Sequence, residues 1–249
     1  MRSSLIRAFV TGFVVVSALP LAAAATLIVP VSQTRSVTAS ADATQGDPAF
    51  QSFSAPDFGT FNQTAGAISC SVALPNQCMS TGVKQTSTIE DTRLTSSLVV
   101  GASWTPFASG PMSTQSIFDV TFDLTAPASY KLGNGKVTDL LGSGTHTVTL
   151  SDETGEVIKK LFSAYYVPTT PPPGGYTDLL GWVSTGSGVL QPGRYRMTAQ
   201  WDQGSPADPG GVNAAAVLLL SAIPEPGSGL LVIAGLMGLA GWRSRRAVS

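Results

Sequence analysis

Residues 118–125 read Phe-Asp-Val-Thr-Phe-Asp-Leu-Thr, with an apolar side chain at every second position. Successive side chains of a β-strand point to opposite faces, so this period of two predicts a strand buried on one face only. Residues 194–201 repeat the alternation directly after the turn sequence Gln191-Pro192-Gly193, which predicts a second strand of the same kind. Strands with one apolar face need a second layer to cover that face.

Further strand candidates recur every ten to twenty residues, separated by turns rich in Gly, Pro, Asn and Asp. They are residues 94–104, 145–150, 157–167 and 213–221. The last is apolar on both faces, as in a central strand, although its alanines and leucines are also compatible with a helix. Residues 31–66 lack clear alternation and predict an irregular first strand pair or a mobile segment. We expect a mainly β fold of seven or eight strands, an antiparallel β-sandwich of jelly-roll or immunoglobulin-like type.

The composition supports this fold class and restricts the partners. Of the 249 residues, 43% are hydrophobic and 12% are charged, which is too apolar for a disordered protein. The formal charge of −1 is unevenly distributed, because residues 26–224 hold nine basic and fourteen acidic side chains, a net charge of −5. An acidic body argues against nucleic acid as a partner.

The N-terminus has the parts of an export signal. Arg2 and Arg7 accompany an apolar run over residues 8–19, and four alanines occupy positions 22–25. This order predicts a Sec-type signal peptide helix over residues 1–25, which passes to the Sec translocon and is removed by signal peptidase. A permanent membrane helix is the alternative, but the apolar run has about a dozen residues and a bilayer needs ~20.

Export determines what the two cysteines can do. Cys70 and Cys78 are the only cysteines, and export would place them in an oxidising compartment. An even number at short separation favours a disulfide over a metal site or a redox pair, with two free thiols as the alternative. The residues between them include the turn sequence Leu74-Pro75-Asn76-Gln77.

The C-terminus has three ordered parts. Pro224-Glu225-Pro226 must be extended, because proline fixes φ, lacks a backbone donor and restricts the residue before it. Residues 227–242 are uncharged and would form a helix of about 24 Å, short of a ~30 Å hydrocarbon core. Arg243, Arg245 and Arg246 follow, and by the positive-inside rule they stop transfer and keep this end cytoplasmic.

These three parts resemble the PEP-CTERM sorting domain of exported proteins in Gram-negative, exopolysaccharide-producing bacteria. The resemblance implies that an exosortase recognises Pro224, Glu225 and Pro226, cuts the tail, and releases or attaches the protein outside the cell. The precursor would be anchored in the inner membrane by the transmembrane helix, and the product would reach the cell surface or the medium. The chain would then divide into the signal peptide (1–25), a β-sandwich ectodomain (26–222) and the sorting tail (223–249). A plain membrane anchor is the alternative.

The body offers little catalytic chemistry. His146 is the only histidine, and its position within the strand 145–150 predicts a structural role. The G-x-S-x-G, H-E-x-x-H and phosphate-loop patterns are absent from the sequence. Asp119 and Asp123 lie on the polar face of their strand, which predicts solvated charges. Acidic residues near 152–156 and 42–47 lack the spacing of an EF-hand. We therefore expect no catalytic residue, cofactor or metal.

Aromatic residues around a proline-rich run at 169–175 are the remaining candidates for binding. Exposed rings stack on sugars, so contacts to extracellular polysaccharide are predicted for Tyr165, Tyr166, Tyr176 and Trp182, with packing beneath the loop as the alternative. The sequence as a whole predicts a non-catalytic surface or matrix protein. An extracellular carbohydrate-active hydrolase, a carbohydrate-binding module and a permanently anchored surface protein are the alternatives.

Overall fold

The computed structural model describes residues 26–105, 109–134, 144–165, 185–203, 210–223 and 235. This part of the chain contains twelve strands. They are β1 (Ile28–Ala41), β2 (Ala49–Ser54), β3 (Phe61–Cys70), β4 (Cys78–Glu90), β5 (Arg93–Trp104), β6 (Met112–Leu124), β7 (Ala128–Asn134), β8 (Gly144–Asp152), β9 (Val157–Tyr165), β10 (Thr185–Leu190), β11 (Gly193–Gln203) and β12 (Gly210–Ala222).

The strands form two six-stranded sheets in which every neighbouring pair is antiparallel. Sheet 1 has the order β2-β1-β6-β11-β8-β9, and sheet 2 has the order β10-β7-β12-β5-β4-β3. From β5 to β12 the chain changes sheet at every connection except the β8–β9 hairpin. The expected mainly β, antiparallel fold is confirmed.

The two sheets stack, and their inner faces enclose two apolar clusters, each with residues from both sheets. One cluster joins Phe118 and Phe122 of sheet 1 to Leu132 and Leu218 of sheet 2, all of them fully buried. A second cluster surrounds Trp201 of β11 and contains residues from β1, β3, β4, β5 and β12. The indole Nε1 of Trp201 donates to Thr114 Oγ1 at 3.2 Å, so its polar atom is satisfied within the core.

The predicted strands are present, and the twelve strands of the described residues exceed the seven or eight expected. The strand pattern at 213–221 becomes β12, a central strand paired with β5 and β7, so the strand interpretation is correct there. Residues 31–66, predicted to be an irregular first strand pair or a mobile segment, supply most of β1, all of β2 and the first half of β3, and β1 and β2 form an antiparallel pair. Gly186-Ser187-Gly188 has a turn-like composition but lies inside β10, because pairing with β7 holds its backbone extended.

A charged side chain also lies between the sheets. Arg35 of β1 is 1% exposed. Its guanidinium donates to Gln33 Oε1 at 2.8 Å, to the Ser87 hydroxyl at 3.4 Å and to the Asp57 carbonyl. These oxygens replace water around the buried cation, which would otherwise carry a large desolvation cost. The contacts tie β1 to β4 of the other sheet and to the β2–β3 connection.

The strand registers define two ends of the sandwich. At one end, which we call the terminal pole, lie residues 26–27, 91–92, 125–127 and 223, joined by backbone hydrogen bonds. At the other end, which we call the distal pole, lie residues 42–46, 70–78 and 109–111, joined in the same way. The segment 166–184, which includes the proline-rich run, leaves β9 at its distal end and lies outside the described residues.

Substitution of Phe122 tests whether its ring packs in the core between the two sheets. Phe122→Ala should lower the free energy of unfolding by about 3–5 kcal/mol, because it removes a ring with no exposed surface and leaves a cavity. Phe50→Ala is the matched control, since that ring is 72% exposed and its loss should change stability by less than about 0.5 kcal/mol. Urea unfolding followed by tryptophan fluorescence measures both. Equal effects would contradict the core assignment.

Candidate functional site

Strand β12 brings the chain to the terminal pole and ends at Ala222, with only Ile223 between the strand and Pro224. Ser221 and Ala222 pair with Ser129 and Ala128 of β7. Beyond the ladder, the Ile223 amide donates to the Pro127 carbonyl at 3.0 Å. On the other side of β12, the Leu220 amide donates to the Thr92 carbonyl in the β4–β5 turn at 2.9 Å. The folded body therefore holds the backbone up to the residue that precedes the Pro-Glu-Pro sequence.

The first described residues, Thr26 to Ile28, also lie at the terminal pole. The amides of Leu27 and Ile28 donate to the Asp91 carbonyl at 3.1 and 2.8 Å, next to the Thr92 carbonyl that holds Leu220. The Thr125 hydroxyl donates to the Thr26 carbonyl at 2.7 Å, two residues from the Pro127 carbonyl that holds Ile223. Leu27 and Ile28 are buried, so the body begins directly after residue 26. Both predicted cleavage regions thus adjoin one end of the sandwich.

The comparisons with known proteins bear on this tail. A family model described as a PEP-CTERM protein-sorting motif matches residues 222–246. The chain carries a PEP-CTERM sorting motif. No curated protein matches the chain.

The PEP-CTERM motif indicates an exported, sorted protein with an exosortase as its processing partner. The matched range includes all six predicted sorting residues, which are Pro224, Glu225, Pro226, Arg243, Arg245 and Arg246. All six lie outside the described residues, as do residues 1–25. Among the described residues, no helix has both the length and the apolar character needed to cross a membrane.

The predicted disulfide is present at the distal pole. Cys70 ends β3, Cys78 begins β4, and the two residues are directly paired and bonded through sulfur. The seven residues between them form a turn in which the Gln77 amide donates to the Leu74 carbonyl at 2.8 Å. Ser71 pairs with Gly46 as an isolated bridge, so the disulfide loop is also held by the β1–β2 connection. The bond closes the end opposite to the sorting tail.

The aspartates of β6 are on the solvent face as predicted, but they are paired. Arg194 donates to both carboxylate oxygens of Asp123 at 2.8 and 3.0 Å, and the hydrogen bonds lower the pKa of Asp123. Arg196 makes an equivalent bidentate contact, donating to both carboxylate oxygens of Asp119. Arg194 is directly opposite Asp123 in the ladder, and this cross-strand register was not visible in the sequence. Its lowered pKa makes Asp123 poorly suited to act as a general acid.

Asp152 has a structural role in the β8–β9 hairpin. Its Oδ1 accepts hydrogen bonds from the Thr154 amide, the Thr154 hydroxyl and the Glu156 amide, at 2.9, 2.7 and 3.0 Å. These bonds lower the pKa of Asp152, with the Thr154 hydroxyl as the largest cause. Gly155 takes a φ of 84°, a left-handed conformation that glycine adopts without strain. Within the described ranges, no group of three or more His, Cys, Asp or Glu side chains could hold a metal ion.

His146 is a core residue. Its side chain is 1% exposed, it faces Trp201 across the β8–β11 ladder, and desolvation lowers its pKa from 6.5 to about 4. The burial of His146 supports the structural role predicted for it, because a buried imidazole held neutral by desolvation is not accessible to exchange protons with a substrate.

The predicted sugar-contacting residues lie at the edge of what the structure describes. Tyr165 ends β9, and its backbone pairs with Gly144, while its side chain is outside the description. Tyr166, Tyr176 and Trp182 fall wholly outside the described residues. The carbohydrate contacts therefore stay a prediction.

Removing the disulfide should destabilise the body. Cys70→Ala combined with Cys78→Ala should lower the free energy of unfolding by about 2–3 kcal/mol, since the unfolded chain regains the freedom of an eight-residue loop. Chemical denaturation of the wild type with and without reductant gives the comparison. A variant as stable as the oxidised wild type would contradict the expectation.

His146 should make stability depend on pH. Between pH 6.5 and about 4 the unfolded chain binds a proton at this residue and the folded chain does not, so stability falls as the pH falls. The loss should be about 2 kcal/mol between pH 7 and pH 5. His146→Gln should remove this difference, because the chain has no other histidine. Urea titrations of both proteins at pH 7 and pH 5 measure this loss. An equal loss of unfolding free energy in the wild type and in His146→Gln would contradict the prediction.

Proposed function

We propose that this chain is an exported, non-catalytic surface or matrix protein whose β-sandwich body is delivered outside by its two terminal signals. The observation that carries the proposal is the PEP-CTERM motif at residues 222–246. In this proposal the signal peptide at 1–25 directs export, residues 227–242 and the arginines after them hold the precursor in the inner membrane, and exosortase cuts at Pro-Glu-Pro.

The terminal pole supports this division of the chain. The body begins with buried Leu27 and ends with Ile223, and both residues hydrogen-bond to neighbouring turns at the same end of the sandwich. A precursor with a hydrophobic segment at each terminus can therefore fold while both segments sit in one membrane. If the termini left from opposite ends, one hydrophobic segment would have to cross the length of the body.

The non-catalytic role is supported by how the polar groups are used. The only histidine is buried, Asp119 and Asp123 are bound by arginines, and Asp152 closes a hairpin. General acid–base catalysis needs a group that is accessible and tuned to exchange protons near the working pH. These groups are each committed to the fold.

The strand order supports the jelly-roll type among the two types expected. Strands β6-β11-β8-β9 of sheet 1 and β10-β7-β12-β5 of sheet 2 give the arrangement of an eight-stranded double Greek key. Strands β1 and β2 extend sheet 1, and β3 and β4 extend sheet 2. Lectins share this architecture, which is compatible with a role in binding exopolysaccharide, although a fold does not fix a function.

Exosortase dependence of the product tests the proposal. With a tag inserted between Ala25 and Thr26, the chain is expressed in a host with exosortase and in the same host without it. We expect a shorter product ending near Glu225, outside the cell, only when exosortase is present. Mass spectrometry of each fraction identifies the C-terminus.

Two glutamate variants provide the matched comparison. Glu225→Ala should reduce the processed fraction by about tenfold or more, because it alters the recognition sequence itself. Glu153→Ala changes an exposed glutamate in a hairpin and should be processed like the wild type. A product that keeps Arg246 in the membrane in both hosts would show a permanent anchor and overturn the proposal.

A further inference from the structure

We propose that residues 221–223 have two mutually exclusive partners: the sheet of the folded body, and exosortase, which takes up this segment when it cuts the tail. This inference rests on the proposed function and adds a requirement to it. The tail would be cut only when the last three residues of the body leave β7. We call residues 221–223 the release segment.

The folded body holds the backbone directly before the motif against β7. Ser221 and Ala222 are in the ladder with β7, and the Ile223 amide is held by the Pro127 carbonyl at 3.0 Å. The Ser129 hydroxyl also donates to the Ser221 carbonyl at 3.4 Å. Pro224 follows immediately in the sequence, so there is no spacer between the sheet and the recognition sequence.

The motif itself offers a peptidase few backbone donors. Peptidases and other peptide-binding proteins commonly hold an extended substrate through main-chain hydrogen bonds. Proline has no amide hydrogen, so Glu225 carries the only backbone N–H within Pro224-Glu225-Pro226. Main-chain donors on the N-terminal side must come from Ile223 and the residues before it. In the folded body, the donor of Ile223 is already occupied.

The membrane prevents the body from moving away as a unit. From Ile223 to Gly227, where the uncharged segment begins, a fully extended chain spans at most about 14 Å. The terminal pole therefore stays close to the membrane while the tail is inserted. Room for an enzyme at the motif has to come from local release of chain.

The structure limits this release to three residues. Ser221 and Ala222 are exposed and Ile223 is 36% exposed, so their departure uncovers less apolar surface than the departure of the buried residues before them. Leu220 is 5% exposed, packs in the core cluster and is held by the Thr92 carbonyl. Strand ends with few buried contacts open far more often than core segments. The release segment can therefore open while the rest of β12 stays in place.

A reversible lock on the release segment tests the inference. In the full-length precursor, Ser129→Cys with Ser221→Cys places two thiols on directly paired residues of β7 and β12. With the disulfide formed, cleavage by exosortase in proteoliposomes should be slower by about tenfold or more than after reduction, because the lock holds the segment in the sheet. Thr88→Cys with Thr95→Cys is the matched control, a lock between paired residues of β4 and β5. Its oxidised and reduced forms should be cut at the same rate.

A spacer variant distinguishes retention of the release segment in the sheet from any other effect of the engineered disulfide. Six Gly and Ser residues inserted between Ile223 and Pro224 should restore cleavage of the locked variant to the native rate. Equal cleavage of the locked and reduced forms, with the disulfide verified by mass, would overturn the inference, as would a locked variant that the spacer fails to rescue. If the native chain and the spacer variant are both left uncut, the proposed function itself fails.

Discussion

The central position of β12 is the constraint on which the rest of the molecule depends. This strand is paired with β5 on one side and β7 on the other, and it supplies buried residues such as Leu218 to the shared core. Sheet 2 is therefore incomplete until the last segment of the body is in place. The matched sorting motif overlaps the end of this strand, so the last residues that complete sheet 2 directly precede Pro224.

Several charged groups of the body are paired or enclosed by other groups of the fold. Arg35 is enclosed by oxygens from three elements, and the outer aspartates of β6 are neutralised by arginines of β11. The disulfide closes the distal pole, where the β3–β4 turn meets the β1–β2 connection. Each of these groups stabilises the body, and the chemistry that the PEP-CTERM motif implies lies in the tail and in the enzyme that recognises it.

Several elements could be predicted because their signals are local. The alternation over residues 118–125 identifies β6, and two cysteines around a turn indicated the disulfide between Cys70 and Cys78. The pattern fails where pairing overrides composition. β10 contains Gly-Ser-Gly, and β1 to β3 are rich in small polar residues whose strand conformation depends on neighbouring strands. The burial of Arg35 was not foreseen, since its partners come from distant parts of the chain.

The sorting motif, the disulfide candidates and the antiparallel β class can be recognised from the amino-acid sequence, since each is encoded in a short run of residues with its own physical signature. The central strands, the aspartate–arginine pairs and the position of both ends of the body at one pole became evident in the folded protein. These properties depend on register and strand order, which arise from contacts between residues far apart in the chain. No local pattern specifies them.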